Sequence, residues 1–300
     1  MKDGEVTIGS LLEGGFRLIR ERPGAMLIWT LIQLVAVIAT SYAMGAILQA
    51  SLDAQLAGAT PESAAAGQTL WTGLLSLVQI AVGVVIAAAA QRAIIYPAEG
   101  GIGWLKLGMD EIRQFLLVLL YLLIFILSLV VAAVFGALFV AGSGPSGVQI
   151  VSILLLILGI VAFGFFGTRL SLTFSMTLKR RAFVMREGWL LTRGRFWTLF
   201  ATYLIIFLIM LLFSVVTMVA TEQDYLSAVA RYGLTSGEAE AASLQRYQLL
   251  MAGTVNVEII VNWALSAIGG AIVAALSSGA AATAVQKLTG DEAGLAETFS

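Results

Sequence analysis

Residues 114–141 read QFLLVLLYLLIFILSLVVAAVFGALFVA, a run with no charge and no proline. As an α-helix it would rise about 42 Å at 1.5 Å per residue, more than the ~30 Å hydrocarbon core of a bilayer. Arg113 precedes it, and Gly-Ser-Gly-Pro-Ser-Gly follows at 142–147. The run therefore predicts a membrane span ended by a tight turn. Five more stretches are likewise apolar and free of proline, 24–50, 70–91, 148–169, 197–220 and 259–285, the third of them closing on Arg169. Prolines stand only at 23, 61, 97 and 145, all at span edges or in connections. Pro23 suits the first turn of a helix, where its missing N–H has no partner to lose.

Composition agrees. Apolar residues make up 59% of the 300, and charged residues 12%. A soluble domain carries about 25% charge, so half that number cannot cover a soluble surface. The chain has no cysteine and no histidine. Disulfides, thiolate nucleophiles, Cys-zinc sites, Ser-His dyads and His-ligated haem are all excluded. The predicted fold is an all-α membrane protein of six transmembrane helices over 1–300, one integral domain, arranged as three hairpins.

Charge placement predicts orientation. Fifteen of the 17 cations fall before span one, between spans two and three, between four and five, or after span six. Only Arg231 and Arg246 lie on the other side. The positive-inside rule then puts both termini in the cytoplasm of a bacterial inner membrane. Span one is too long for a signal-peptide core, and Asp3, Glu5 and Glu13 do not suit the segment before one, so it is expected to remain as an anchor. The six tryptophans, 29, 71, 104, 189, 197 and 263, fall near span ends or in the basic connections and read as an interfacial belt.

The basic connections carry helical patterns. Residues 8–22 place Ile8, Leu11, Leu12, Gly15, Phe16 and Ile19 on one face, away from Glu13, Arg17, Arg20 and Glu21. Ser10 with Glu13 fits a capping box, and Thr7 is a rival start. Residues 102–113 and 182–195 repeat the apolar stripe backed by charge. Each hairpin is thus expected to follow a cytoplasmic amphipathic helix lying in the membrane interface. The three returns end alike, at Gln91-Arg92, Thr168-Arg169 and Gln286-Lys287. A threefold repeat and a generic hairpin topology would both produce this pattern. The long connection 221–257 reads as an external helical hairpin, with Thr235-Ser-Gly-Glu238 as a capping signature. It would either close the bundle or dock a partner.

Candidate functional residues are few. Gln33 and Gln79 each lie about 14–15 Å into their spans from opposite ends, so they could meet near the midplane. They are either interhelical glue or a polar lining. Asn262 and Glu258 extend a row of small residues, Ser266, Gly270, Ala274 and Ser278, in span six. A second row, Ala267, Ala271, Ala275 and Gly279, runs beside it. Such rows let helices approach closely. Lys179, Arg180, Arg181, Arg186, Arg193 and Arg195 put six cations into seventeen residues, with Trp189 among them. They either set topology or hold anionic lipid, each cation being worth ~1 kcal/mol at a charged membrane surface. No phosphate loop and no carboxylate group with metal-site spacing appears, so no cofactor, metal or catalytic residue is expected.

Arg169-Leu-Ser-Leu-Thr-Phe-Ser175, followed by Gly188-Trp-Leu-Leu-Thr-Arg-Gly-Arg-Phe-Trp197, resembles the membrane domain attached to some glycerophosphoryl diester phosphodiesterases and related stand-alone bacterial inner-membrane proteins. Arg92-Ala-Ile-Ile-Tyr-Pro97 and Trp104-Leu-Lys-Leu-Gly-Met-Asp-Glu-Ile-Arg113 look like a stretch of alphaproteobacterial membrane proteins. Together these lie within 92–113 and 169–197, about a sixth of the chain. The phosphodiesterase barrel is absent, so the resemblance implies a six-span bacterial membrane protein tied to lipids rather than that enzyme. The expected function is non-enzymatic engagement of anionic lipids, with a membrane-protein partner or a second copy as further partners and no nucleic acid. The alternative is a small transporter or permease component for an apolar or amphiphilic solute.

Overall fold

The structure, a computed structural model, describes residues 6–58, 60–143, 145–233 and 236–299. The described residues form helices joined by short turns, with no strand. In chain order these are α1 (Ile8–Glu21), α2 (Pro23–Leu56), α3 (Pro61–Ile95), α4 (Met109–Ser143), α5 (Pro145–Arg180), α6 (Met185–Leu191), α7 (Phe196–Thr221), α8 (Gln223–Tyr232), α9 (Gly237–Met251) and α10 (Val257–Phe299). Six of them, α2, α3, α4, α5, α7 and α10, are long and apolar enough to cross a membrane. The protein is a polytopic membrane protein with the six spans expected.

Helix α10 is the hub. It packs against α1, α2, α3, α5 and α7, whereas α4 packs chiefly on α5 and less on α3. Composition explains this. Ala267, Ala271, Ala275, Ala280, Ala282 and Ala284 are all at or near zero exposure, so backbones can close on several sides. At Gly279 an added Cβ would lie 2.7 Å from the Cα of Gly15 on α1. At Gly15 it would lie 2.7 Å from the Cα of Leu276. Glycine is required on both sides of this crossing.

That crossing corrects one expectation. Most of the apolar stripe of α1 is turned inward: Leu11 and Gly15 are buried and Phe16 stays 49% exposed, while Leu18, outside the stripe, is nearly buried too. The two leucines join clusters with α3, α5, α7 and α10 rather than facing lipid. Burying each such leucine is worth roughly 1.5–3 kcal/mol. The cap is the rival one, with the Thr7 side chain accepting from the Ser10 backbone N–H and the Ser10 hydroxyl accepting from that of Thr7.

The other two amphipathic segments also differ. Residues 101–108 are not helical, and α4 begins only at Met109. Gly101 (φ 145°), Gly103 (φ 63°) and Trp104 (φ 55°) take positive φ values that break a helix. The loop folds inward instead. The Trp29 indole N–H donates to the Gly103 carbonyl at 2.9 Å, and Trp29 is fully buried. In the third connection the helix is only the seven residues of α6, flanked by turns.

The tryptophan belt is accordingly partial. Trp71 and Trp197 are exposed as a belt requires, but Trp29, Trp104 and Trp263 belong to the core. Trp263 donates to the Ser41 hydroxyl at 3.0 Å and packs with Leu250 and Ile259. The expected hairpin beyond α7 is present as α8 and α9, with α9 resting on α2. Its second helix is capped by Ser236, which accepts from the Ala239 N–H at 3.2 Å. The expected cap residue Thr235 lies outside the described residues.

Candidate functional site

The basic elbow between α5 and α7 is built around one glycine. An added Cβ at Gly188 would lie 2.5–2.9 Å from Thr173 atoms, backbone included, so α6 lies directly on α5. This brings Thr192 back to the level of Arg169. The Thr192 hydroxyl accepts from Arg169 Nη1 at 3.0 Å and donates to the Trp189 carbonyl at 2.7 Å. The Arg169 guanidinium stands 5.5 Å from the Trp189 and Phe196 rings and 5.6 Å from that of Phe165. Three aromatic faces thus surround one cation, each contact worth roughly 0.5–2 kcal/mol. Phe196 stacks on Phe200, and Trp197 projects outward at 75% exposure.

The six elbow cations separate into two groups. Lys179 donates to the Thr289 hydroxyl, and its carbonyl accepts from the Tyr96 hydroxyl at 2.7 Å. Arg181 pairs with Glu99 at 2.7 Å and lies 5.6 Å from the Tyr96 ring. Arg180 is exposed and loosely paired with Glu187 at 3.5 Å. Arg186, Arg193 and Arg195 are exposed, and no ion pair among the described residues engages them. Glu99 also accepts from Lys106 at 2.7 Å. That bond, aided by the nearby Lys106, Arg181 and Arg92 charges, holds the exposed Glu99 carboxyl below the ordinary carboxylate value.

A buried polar core lies beneath. Arg92, 2% exposed, meets Glu111 at 2.5 Å and donates to the Trp104 carbonyl at 2.8 Å. The other Glu111 oxygen accepts from the Gly108 N–H at 3.0 Å. Arg22 covers the outer face of Trp104 at 4.6 Å. One turn away, the Gln114 amide donates to Gln91 at 2.9 Å. The sequence reading counted Arg92 only as a topology charge. Its burial had one trace in the sequence, the glycine-rich 100–108 that cannot be a helix.

The intramembrane polar residues do not gather into one site. Gln79 reaches α2, donating to the Ala36 carbonyl at 3.2 Å and to the Thr40 hydroxyl. Gln33 lies against Gly270 of α10 instead. Asn262 donates to the Thr221 hydroxyl at 2.9 Å, tying α10 to the end of α7. Among the described residues no three His, Cys, Asp or Glu side chains form a metal-sized cluster. Comparison with protein families, curated proteins and solved structures returns no match.

Proposed function

We propose that this is a non-enzymatic protein of a bacterial inner membrane that engages anionic lipid through its basic end, with both termini cytoplasmic. The observation that carries the reading is the trio Arg186, Arg193 and Arg195, exposed and engaged by no ion pair among the described residues, with Trp197 exposed at the end of the same connection. Arg181 and Lys106, by contrast, are held by Glu99, so the trio is the part of the basic end left free for an anionic headgroup. An indole at headgroup level and guanidinium groups suited to bidentate phosphate contacts form a complementary surface. The likeness of Arg169–Ser175 and Gly188–Trp197 to phosphodiesterase-linked membrane domains points the same way. A chain without histidine or cysteine lacks the commonest general acid–base side chain and any thiolate nucleophile.

The test replaces Arg186, Arg193 and Arg195 together by Gln, leaving Lys179, Arg180 and Arg181 for topology. At ~1 kcal/mol per cation before screening, preference for anionic lipid falls roughly a hundredfold. Native mass spectrometry of the purified protein reads the retained lipids, and thermal melts with added anionic lipid read the stabilisation. Unchanged lipid retention and unchanged stabilisation would sink the reading.

A further inference from the structure

Two cavities lie end to end along one face of α10. The first, of about 540 Å³, is bounded on α7 by Met210, Ser214 and Thr217 and on α10 by Asn262, Ser266 and Gly270, with Glu222 at its outer rim. The second, of about 370 Å³, lies toward the basic end between α3, α4, α5 and α10, with Tyr203 its one lining residue from α7; Gln91, Gln114, Ser171, Tyr203, Ser277 and Ser278 supply its polar groups. Both volumes suit a bound ligand. Asn262, Ser266, Gly270, Val273, Ser277 and Ala281 all line one or the other. Their spacing of three and four residues makes them a single helix face. From Asn262 to Ala281 that face rises about 29 Å, the thickness of the bilayer core. On α7, Tyr203 borders the inner cavity, and Met210 and Thr217 the outer.

One helical turn, Val273 to Ser277, separates the two. At that level Ile206 of α7 is buried. Met210, which borders this turn, is unbranched and repacks readily. Apart from Glu222 at the outer rim, neither cavity has a charged lining residue. An ion or proton path would place ionisable groups along its length. The Tyr203 hydroxyl is buried beside Ser171, yet forms no bond of normal hydrogen-bond geometry. Tyr203 and Ser171 both line the inner cavity, so a ligand oxygen that reached them would meet this hydroxyl pair. Phe207 and Leu211 of α7 are exposed, as residues standing among lipid chains would be.

We propose that the α7–α10 face is a translocation seam along which the oxygen-bearing head of a membrane lipid passes between leaflets while its chains stay in the bilayer. The polar groups of the two cavities receive the head in turn, and the Val273–Ser277 turn is the barrier between them. This activity lies at a different site from the basic elbow and does not depend on it.

The test reconstitutes the full chain into vesicles of zwitterionic phosphatidylcholine carrying a trace of headgroup-labelled fluorescent phosphatidylcholine, then adds dithionite outside. Bleaching should continue past the outer-leaflet fraction seen in protein-free vesicles. Tyr203→Phe, which keeps the ring and loses the hydroxyl, should slow it about fivefold, the weight of one hydrogen bond. Tyr203→Phe should retain anionic lipid in native mass spectrometry as the parent does, which separates this proposal from the preceding one. As a check free of folding effects, Ser266→Cys and Ser277→Cys, placed singly in this Cys-free chain, should react with an impermeant thiol reagent from opposite sides, and lipid-facing Ile268→Cys should not. Bleaching that stops at the protein-free level, a Tyr203→Phe rate equal to the parent's, or release of a trapped water-soluble dye would each overturn the proposal. So would two cysteines as unreactive as Ile268→Cys.

Discussion

Replacing Glu111 by Gln should be among the most damaging conservative changes in this protein. Glu111 and Arg92 have side-chain exposures of 6% and 2% and meet at 2.5 Å. The amide keeps the shape of the carboxylate and an oxygen for the Gly108 N–H. It removes the charge opposite a buried guanidinium. An uncompensated buried charge costs about 3–5 kcal/mol, and the lower end applies here because the Trp104 carbonyl still accepts from Arg92. Arg92→Met should cost a similar amount by stranding the carboxylate. The double variant Arg92→Met, Glu111→Leu should be milder than either single change, because both charges leave together. What remains is the unpartnered Trp104 carbonyl and Gly108 N–H, at roughly 1 kcal/mol each. Thermal and denaturant unfolding in detergent and in lipid, followed by Trp fluorescence, would measure the three variants. Additive single effects, or single effects below ~1 kcal/mol, would show that the pair is hydrated and the buried polar core misread.

Two further outcomes are expected. Gly279→Ala should destabilise by about 1–3 kcal/mol and loosen α1, since the new Cβ meets Gly15 backbone at 2.7 Å, whereas Gly270→Ala should cost less because only the flexible Gln33 side chain is near, at 3.3 Å; equal melts for the two would refute the close α1–α10 crossing. Single cysteines at Gly237, where an added Cβ has open space, and at exposed Ile102 should label differently in intact cells, with the impermeant thiol reagent reaching Gly237→Cys alone; reversed labelling would overturn the orientation.

The spans were legible because membrane insertion is read locally. Each of 24–50, 70–91, 114–141, 148–169, 197–220 and 259–285 falls within a helix of the structure. The amphipathic connections were harder. A stripe such as the one through Leu11 has the same period whether it meets lipid or another helix. Only the arrival of α10, more than 250 residues later, decides which. For 102–113 the apolar spacing outweighed Gly100, Gly101 and Gly103 in the reading, whereas in the fold those glycines let the chain bury Trp104 over Arg92. Gln33 and Gln79 could be read for depth along their helices, but depth says nothing of rotation about each helix axis, and their partners lie on different neighbours.

By itself, the sequence determined six apolar spans, a basic end, the small-residue rows that make span six a packing surface, and the exclusion of histidine and cysteine chemistry. These follow from composition and from periods within single helices, because a hydrocarbon solvent acts on each helix separately. Tertiary structure alone decided which elbow cations stay unpaired, that Arg92 and Glu111 meet in the interior, that Trp29 and Trp263 are core, and that polar residues of α7 and α10 share one continuous face. Each of these depends on how helices far apart in the chain rotate and cross. Between membrane helices that choice rests on close packing and a few hydrogen bonds rather than on hydrophobicity, so the apolar pattern carries little record of it.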